Sequence, residues 1–119
     1  AIRLVEHIKA ARPDVAIGAD LIAGFPTETE AMFANSLRIV EECDLVFGHI
    51  FPYSPRRGTP AARMPQVEAD VVRARAKRLR EACTERRWNW LDSLVGTEQR
   101  VLIELDGRTG HAENFAKVD

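Results

Sequence analysis

The sequence has little of what secreted, membrane-spanning or metal-binding proteins need. Its 119 residues include two cysteines, Cys43 and Cys83, which are too few for a disulfide framework. No CxxC or HExxH spacing occurs, so sequence neighbours cannot form a metal site, and an iron–sulfur cluster needs about three or four thiolates. No apolar run approaches the roughly 18 residues of a membrane span. We therefore expect a cytoplasmic protein that contacts no membrane and keeps both thiols reduced in its core.

An excess of one charge is also missing. Lysine and arginine number 17 and aspartate and glutamate 18, for a formal net charge of −1, which argues against a general polyanion-binding protein and leaves only local patches for nucleic acid. The hydrophobic share of 45% and charged share of 29% are those of a globular domain, so collagen-like, disordered and coiled-coil classes are excluded. The chain opens at Ala1 inside a helical pattern and stops after a strand-like segment. We expect it to be a piece of a longer protein.

Apolar periodicity predicts an α/β arrangement. Residues 2–11 have the pattern of a short amphipathic helix that ends before Pro13. Residues 15–25 carry apolar side chains at alternate positions and mostly small ones between them, which predicts a strand in a parallel sheet covered on both faces. Residues 45–53 predict a second buried strand. Strand, helix and strand in this order form a βαβ unit with a right-handed crossover.

Two further helices are predicted. Thr27 and Glu30 form a capping box that begins a helix ending near Cys43. The longest helix covers about 67–94, with an apolar stripe for the core and Trp88 pointing away from it. Its basic residues flank the stripe, and we favour a solvated face over a surface that follows a polyanion. These residues are Arg73, Arg75, Lys77, Arg78, Arg80, Arg86 and Arg87.

After Gly96 the pattern changes to period two. Residues 101–105 alternate as a strand, Asp106-Gly107 is a turn signal, and 111–115 predict the partner strand. Two strands cannot form a stable domain alone, so we expect this second, β-type domain to be incomplete.

Ligands of α/β folds bind beyond the carboxyl ends of the strands, here at residues 24–28 and 51–59. The first of these is equally well explained as a tight strand-to-helix turn. Asp20, inside the first strand, needs a basic partner or a wet cavity, because an unpaired buried carboxylate is costly. His49, inside the second strand, is expected to be a satisfied core residue.

Three stretches together resemble the radical-SAM methylthiotransferases. They are Asp20-Leu-Ile-Ala-Gly-Phe-Pro-Thr-Glu-Thr29, His49-Ile-Phe-Pro-Tyr-Ser-Pro-Arg-Arg-Gly-Thr-Pro-Ala-Ala-Arg-Met-Pro65, and the β-type residues 96–118. The nearest likeness is to the sub-group that modifies threonylcarbamoyladenosine next to the tRNA anticodon. The resemblance implies that residues 1–94 are the last βα units of a partial radical-SAM barrel with parallel strands. Residues 95–119 would be the first part of an OB-like TRAM domain.

The resemblance also implies a function for the parent protein: methylthiolation of carbon 2 of N6-threonylcarbamoyladenosine in tRNA, with S-adenosylmethionine and 4Fe-4S clusters as cofactors. The cluster cysteines are absent from this chain. We therefore assign it no catalytic or metal-binding residue and expect it to be inactive alone. Relatives that modify isopentenyladenosine in tRNA, or a ribosomal protein, remain alternatives, as does a free-standing RNA-binding module or a purely structural piece.

Site residues follow from the same resemblance. The family's GxIxGxxE pattern matches at Ile22 and Gly24, whereas Asp20 replaces its first glycine and Glu28 falls one position late. Cofactor contacts are expected at Asp20, Ile22, Gly24, Phe51 and Tyr53. RNA contacts are expected at Arg56, Arg57, Arg108, Asn114, Phe115 and Lys117. An unpaired edge on the first strand would allow self-association of the chain.

Overall fold

A computed structural model describes residues 1–119 and has an α/β fold with two separate sheets. None of its helices combines the length and the apolar character needed to cross a bilayer. In chain order the elements are α1 (Ile2–Ala11), β1 (Ile17–Ala23), α2 (Glu30–Glu42), β2 (Leu45–Pro52), a 3₁₀ turn (Ala61–Arg63), α3 (Ala69–Leu94), β3 (Val101–Ile103), β4 (Gly110–Ala112) and β5 (Lys117–Val118).

Strands β1 and β2 pair side by side and run parallel, which confirms the predicted βαβ unit. Asp20 lies opposite His49 and Ile22 lies opposite Phe51, so equivalent side chains project from the same face of the sheet. The register shifts once, between Ile17 and Gly18. This pairing brings the carboxyl ends of both strands together at one end of the molecule.

One face of this sheet carries the core and the other is open. Helices α2 and α3 pack on the first face, where Ala23, Val40, Leu79 and their neighbours are buried. The prediction of cover on both faces is wrong for these residues, because no element of the chain packs on the second face. This open face consists of the exposed residues Gly18, Asp20, Ile22, His49 and Phe51.

Helix α3 lies unusually close to β2. A Cβ added at Gly48 would overlap the Sγ of Cys83 and lie 3.0 Å from the Cβ of Cys83. The predicted core stripe of α3 is confirmed from Val72 to Cys83, and both cysteines are buried with free thiols. Trp88 is exposed, as its position on the helix predicts.

Helix α2 begins two residues later than predicted. Thr29 is its N-cap, and the Oγ1 of Thr29 accepts a hydrogen bond of 3.2 Å from the backbone N–H of Met32. Thr27 cannot cap because its backbone has a φ of +69° and its N–H donates to the carbonyl oxygen of Pro65 at 3.1 Å. A contact with a distant residue therefore decides between two threonines that both fit a cap.

Residues 95–119, named the β segment, contain an antiparallel sheet in the order β3-β4-β5. Antiparallel pairing is confirmed, but the partner strand is Gly110–Ala112 rather than residues 111–115, and β5 was not predicted. The chain turns at residues 113–116, where the amide oxygen of Asn114 accepts a hydrogen bond from Ala116 and Phe115 adopts a φ of +65°. This turn ends β4 early and returns the chain as β5.

Candidate functional site

A cleft of about 410 Å³ opens at the carboxyl ends of β1 and β2, and we name it the carboxyl-end cleft. Ile22 and Phe51 form its apolar wall from neighbouring register positions and are 54% and 52% exposed. Tyr53 and Arg56 line it from the loop that follows β2. An apolar wall with a few polar groups at its rim is typical of a small-molecule site.

Tyr53 is held firmly while its hydroxyl group stays unpartnered. Its backbone N–H donates to the carbonyl oxygen of Ala23 at 2.8 Å, and its ring meets the ring of Phe25 at a centroid distance of 5.5 Å. Its Oη is buried and has no hydrogen-bond partner in the chain. An orphaned buried hydroxyl is costly, so this atom is a polar group that the chain by itself leaves unsatisfied beside the cleft.

The loop that carries the predicted RNA-binding arginines is internally fixed. The hydroxyl group of Thr59 donates to the carbonyl oxygen of Arg56 at 2.7 Å, and Thr59 Oγ1 accepts from the N–H of Ala62 at 3.3 Å. Arg56 is exposed at the rim of the carboxyl-end cleft, and Arg57 is exposed beside it. Both guanidinium groups are therefore accessible to an anion.

Asp20 and His49 meet on the open face. Their Oδ1 and Nδ1 atoms are 3.2 Å apart, and their side chains are 72% and 76% exposed. His49 is thus not the core residue we expected, because the face from which it projects is uncovered. Asp20 is itself exposed, so its carboxylate does not require the basic partner that we expected for a buried one. The pair lies two register positions from Ile22 and Phe51.

Gly24 lies outside the carboxyl-end cleft and shapes the turn beside it. It is buried with a φ of +75°, and a Cβ there would approach Val72 within 2.9 Å. Its N–H donates to Oε1 of Glu28 at 3.2 Å. A glycine is required here both by the positive φ and by the close approach of α3.

A buried ion pair that sequence reasoning missed fixes the same turn. Arg75 on α3 donates to Oε1 and to the carbonyl oxygen of Glu28, both at 2.9 Å, and to Oε1 of Glu30 at 2.6 Å. The side chains of Arg75 and Glu28 are 8% and 9% exposed. The hydrogen bond to Glu30, then that to Glu28, raises the pKa of Arg75 and offsets its desolvation. Arg75 is therefore not part of a solvated face.

The candidate RNA-binding residues fall into two separate groups, one in the loop after β2 and one in the β segment. Asn114 and Phe115 line a cavity of about 210 Å³ together with residues 15 and 16, which precede β1. Arg56 and Arg57 lie beyond the opposite end of the strands. Arg108 and Lys117 are exposed in the β segment. The structure thus brings Asn114 and Phe115 together but separates them from the two loop arginines.

The residues present do not fit an iron–sulfur cluster. No group of three or more histidine, cysteine, aspartate or glutamate side chains is arranged to hold a metal ion. Cys43 and Cys83 are buried in the apolar core, and burial raises the pKa of the Cys83 thiol. Cluster ligands would have to come from residues outside this chain.

Comparison with known proteins places these features in a family, although no protein-family model matches the chain. Threonylcarbamoyladenosine tRNA methylthiotransferase MtaB of Rickettsia prowazekii is 44% identical over 117 residues, which are 98% of this chain and 28% of that protein. The tRNA-2-methylthio-N(6)-dimethylallyladenosine synthase of Ruegeria pomeroyi is 43% identical over 107 residues, 90% of this chain and 24% of that protein. Its namesake from Chromobacterium violaceum is 43% identical over 103 residues, 85% of this chain and 23% of that protein.

The chain thus spans about a quarter of the length of these curated relatives. All three relatives are named as enzymes of tRNA methylthiolation, which is the family that the motifs around Asp20 and His49 resemble. The chain belongs to the radical-SAM methylthiotransferase family.

Proposed function

We propose that this chain is part of an enzyme that methylthiolates N6-threonylcarbamoyladenosine next to the anticodon of tRNA. One observation carries the proposal: a relative named for this nucleoside matches 98% of the chain at 44% identity. The matches to the dimethylallyladenosine synthases named above cover 85–90% of the chain. The longer match supports the threonylcarbamoyladenosine sub-group over the dimethylallyladenosine one.

In this proposal residues 1–94 are the last βα units of a partial barrel, and residues 95–119 begin a TRAM domain. The open face of β1 and β2 then faces the interior of the barrel. Its exposed apolar side chains, Ile22 and Phe51, support this assignment, since such a pair needs a ligand or another element as cover.

The carboxyl-end cleft fits the adenosyl part of S-adenosylmethionine, which supplies the reactive sulfonium chemistry when bound. Ile22 and Phe51 would pack against the purine and exclude water from it. The backbone after Phe51 lines the same cleft and offers hydrogen bonds to the polar edges of the ligand. Asp20 offers an exposed carboxylate deeper on the same face, and Gly24 contributes only through the shape of the turn.

Partners of the parent protein follow from the same assignment. Arg56 and Arg57 would contact tRNA phosphates at the barrel mouth, and the β segment would add backbone contacts through Arg108 and Lys117. Such an enzyme works in the cytoplasm, where tRNA is found. The isolated chain should not cleave S-adenosylmethionine, and its unpaired sheet edges leave it open to self-association.

The test uses the full-length protein expressed in a bacterial strain that lacks its own tRNA methylthiotransferases. Nucleosides from digested tRNA are then measured by mass spectrometry. We expect the methylthio group on threonylcarbamoyladenosine and none on isopentenyladenosine. Modification of isopentenyladenosine alone would transfer the protein to the other sub-group, and unmodified tRNA would overturn the proposal.

A second experiment tests the assignment of the carboxyl-end cleft. Ile22→Asp places a charge against the adenosyl group, and we expect it to weaken S-adenosylmethionine binding in calorimetric titration of the full-length protein. Ile22→Val, which keeps the wall apolar, is the matched control and should bind with nearly unchanged affinity. Equal affinities of the two variants would show that Ile22 does not contact the cofactor.

A further inference from the structure

A second depression, of about 220 Å³, lies along the free edge of β2, and we name it the edge cleft. His49 lines it from β2, and Arg80, Thr84 and Arg87 line it from α3. The two arginines are seven residues apart, so they project from the same side of the helix two turns apart. No carboxylate lines the edge cleft.

The two arginines of the edge cleft are not neutralised by the chain's own carboxylates. On the same helix, Arg73 pairs with Asp70, Lys77 pairs with Glu81 at 3.9 Å, and Arg86 pairs with Asp44 at 3.8 Å. Arg80 and Arg87 make no ion pair with any carboxylate of the chain. The carboxylate of Asp20 faces His49, another residue of the edge cleft, at 3.2 Å.

The side chain of Arg87 is also held in place by an aromatic ring. The guanidinium carbon of Arg87 sits 5.2 Å from the ring centroid of Phe47, and that ring packs against Trp90 at 5.4 Å. Stacking on an aromatic ring reduces the conformational freedom that an arginine must lose on binding. The hydroxyl of Thr84 adds a neutral hydrogen-bond donor to the same wall.

The edge cleft connects the two separated groups of RNA candidates. Phe47 lines both the edge cleft and the cavity beside Asn114 and Phe115. His49 lines the edge cleft and belongs to the open face, two residues before Phe51 of the carboxyl-end cleft. A cationic surface therefore lies along β2 between the β segment and the carboxyl-end cleft.

We propose that the edge cleft binds the phosphate backbone of RNA through Arg80 and Arg87. Guanidinium groups match phosphate oxygens with paired hydrogen bonds, and unneutralised cations gain most from a polyanion that releases counterions. This inference rests on the proposed function for the identity of the RNA, a tRNA anticodon arm. It revises the expectation of a plain solvated face for this flank of α3.

The test compares two doubly substituted full-length proteins of equal net charge. Arg80→Gln with Arg87→Gln removes the cations of the edge cleft. Arg3→Gln with Arg78→Gln removes two exposed cations that do not line the edge cleft and is the matched control. Binding of a fluorescent anticodon-arm RNA is followed by anisotropy over a series of salt concentrations, and circular dichroism checks that both variants fold.

We expect the edge-cleft variant to lose about tenfold or more in affinity at low salt, and the slope of log affinity against log salt to fall by about 1.5. The control should stay within about twofold of the unchanged protein. Equal losses of RNA affinity in both variants would show that the effect depends only on net charge and would overturn the proposal. Equally tight, arginine-dependent binding of a polyglutamate peptide would overturn the assignment to RNA.

Mass spectrometry of tRNA nucleosides separates this inference from the proposed function. If the unchanged protein modifies tRNA but the edge-cleft variant binds RNA normally, RNA binding by the edge cleft is refuted and the proposed function stands. If the edge-cleft variant loses RNA affinity but the unchanged protein makes no methylthio nucleoside, RNA binding by the edge cleft is supported and the proposed function is refuted.

Discussion

Replacing Gly48 with alanine measures how tightly α3 packs on β2. The φ of Gly48 is not positive, so a side chain there causes no backbone strain. The cost to stability is steric, because the new methyl would overlap the Sγ of Cys83. Cys83 is 5% exposed and lies at the wall of the edge cleft, so its Sγ must shift toward that cleft to admit the methyl. We expect Gly48→Ala to lower the free energy of unfolding by about 1–3 kcal/mol, the range for overpacked cores.

The partner substitution isolates that clash. Cys83→Ala removes the Sγ and should cost about 1 kcal/mol alone, as a small cavity does. In the double variant the remaining Cβ–Cβ distance of 3.0 Å is tight but close to tolerable. The double variant should therefore be more stable than the sum of the single effects predicts, by about 1–2 kcal/mol.

The assay is urea unfolding followed by tryptophan fluorescence, because Trp90 packs against Phe47 of β2 and reports the docking of α3. Gly58→Ala is the control: its φ is +85° and no atom lies near the added Cβ, so its cost is conformational and independent of Cys83. Effects of Gly48→Ala and Cys83→Ala that add within about 0.3–0.5 kcal/mol would refute the steric account.

Three further outcomes are expected. Arg75→Met should destabilise the chain by about 3–5 kcal/mol in urea unfolding, because it leaves buried Glu28 unpaired. Glu30, the other partner of Arg75, is 83% exposed, so Glu30→Gln should cost about 0–1 kcal/mol. Equal losses of stability in the two variants would contradict this account. Backbone hydrogen bonds from Arg108 and then Thr109 hold the pKa of Asp106 below its ordinary 3.8. Stability from this group is present above that value and is lost as pH falls through the depressed pKa, so Asp106→Asn should flatten the acid limb of the unfolding curve; an unchanged limb would refute the assignment. At about pH 8 the buried Cys83 thiol should react with a disulfide reagent far more slowly than in urea, measured by the absorbance of the released thiolate, and equal rates would contradict its burial and raised pKa.

Local periodicity predicted the elements whose own residues decide their structure. The alternating pattern of β1 and the apolar stripe of α3 appear where expected because the side chains that specify them lie within one element. The motifs around Asp20 and His49 likewise predicted the family, which the relatives confirm.

The features that sequence reasoning missed depend on contacts between distant residues. Arg75 is buried because Glu28, 47 positions away, lies against it, and no local pattern distinguishes it from the solvated arginines of α3. His49 was assigned to the core because its neighbours are apolar, but its exposure depends on whether anything covers one face of the sheet. Arg80 and Arg87 differ from the other unpaired arginines only once the fold places both of them beside one cleft.

The length of strand β1 limits the kind of RNA that could contact both ends of the sheet. Its seven residues span about 23 Å, roughly the rise of seven base pairs, and the cavity beside Asn114 and the cleft beside Arg56 lie near its opposite ends. A single flipped nucleotide could not bridge that length. An RNA that engages both ends must therefore lie along the strands as an extended ligand.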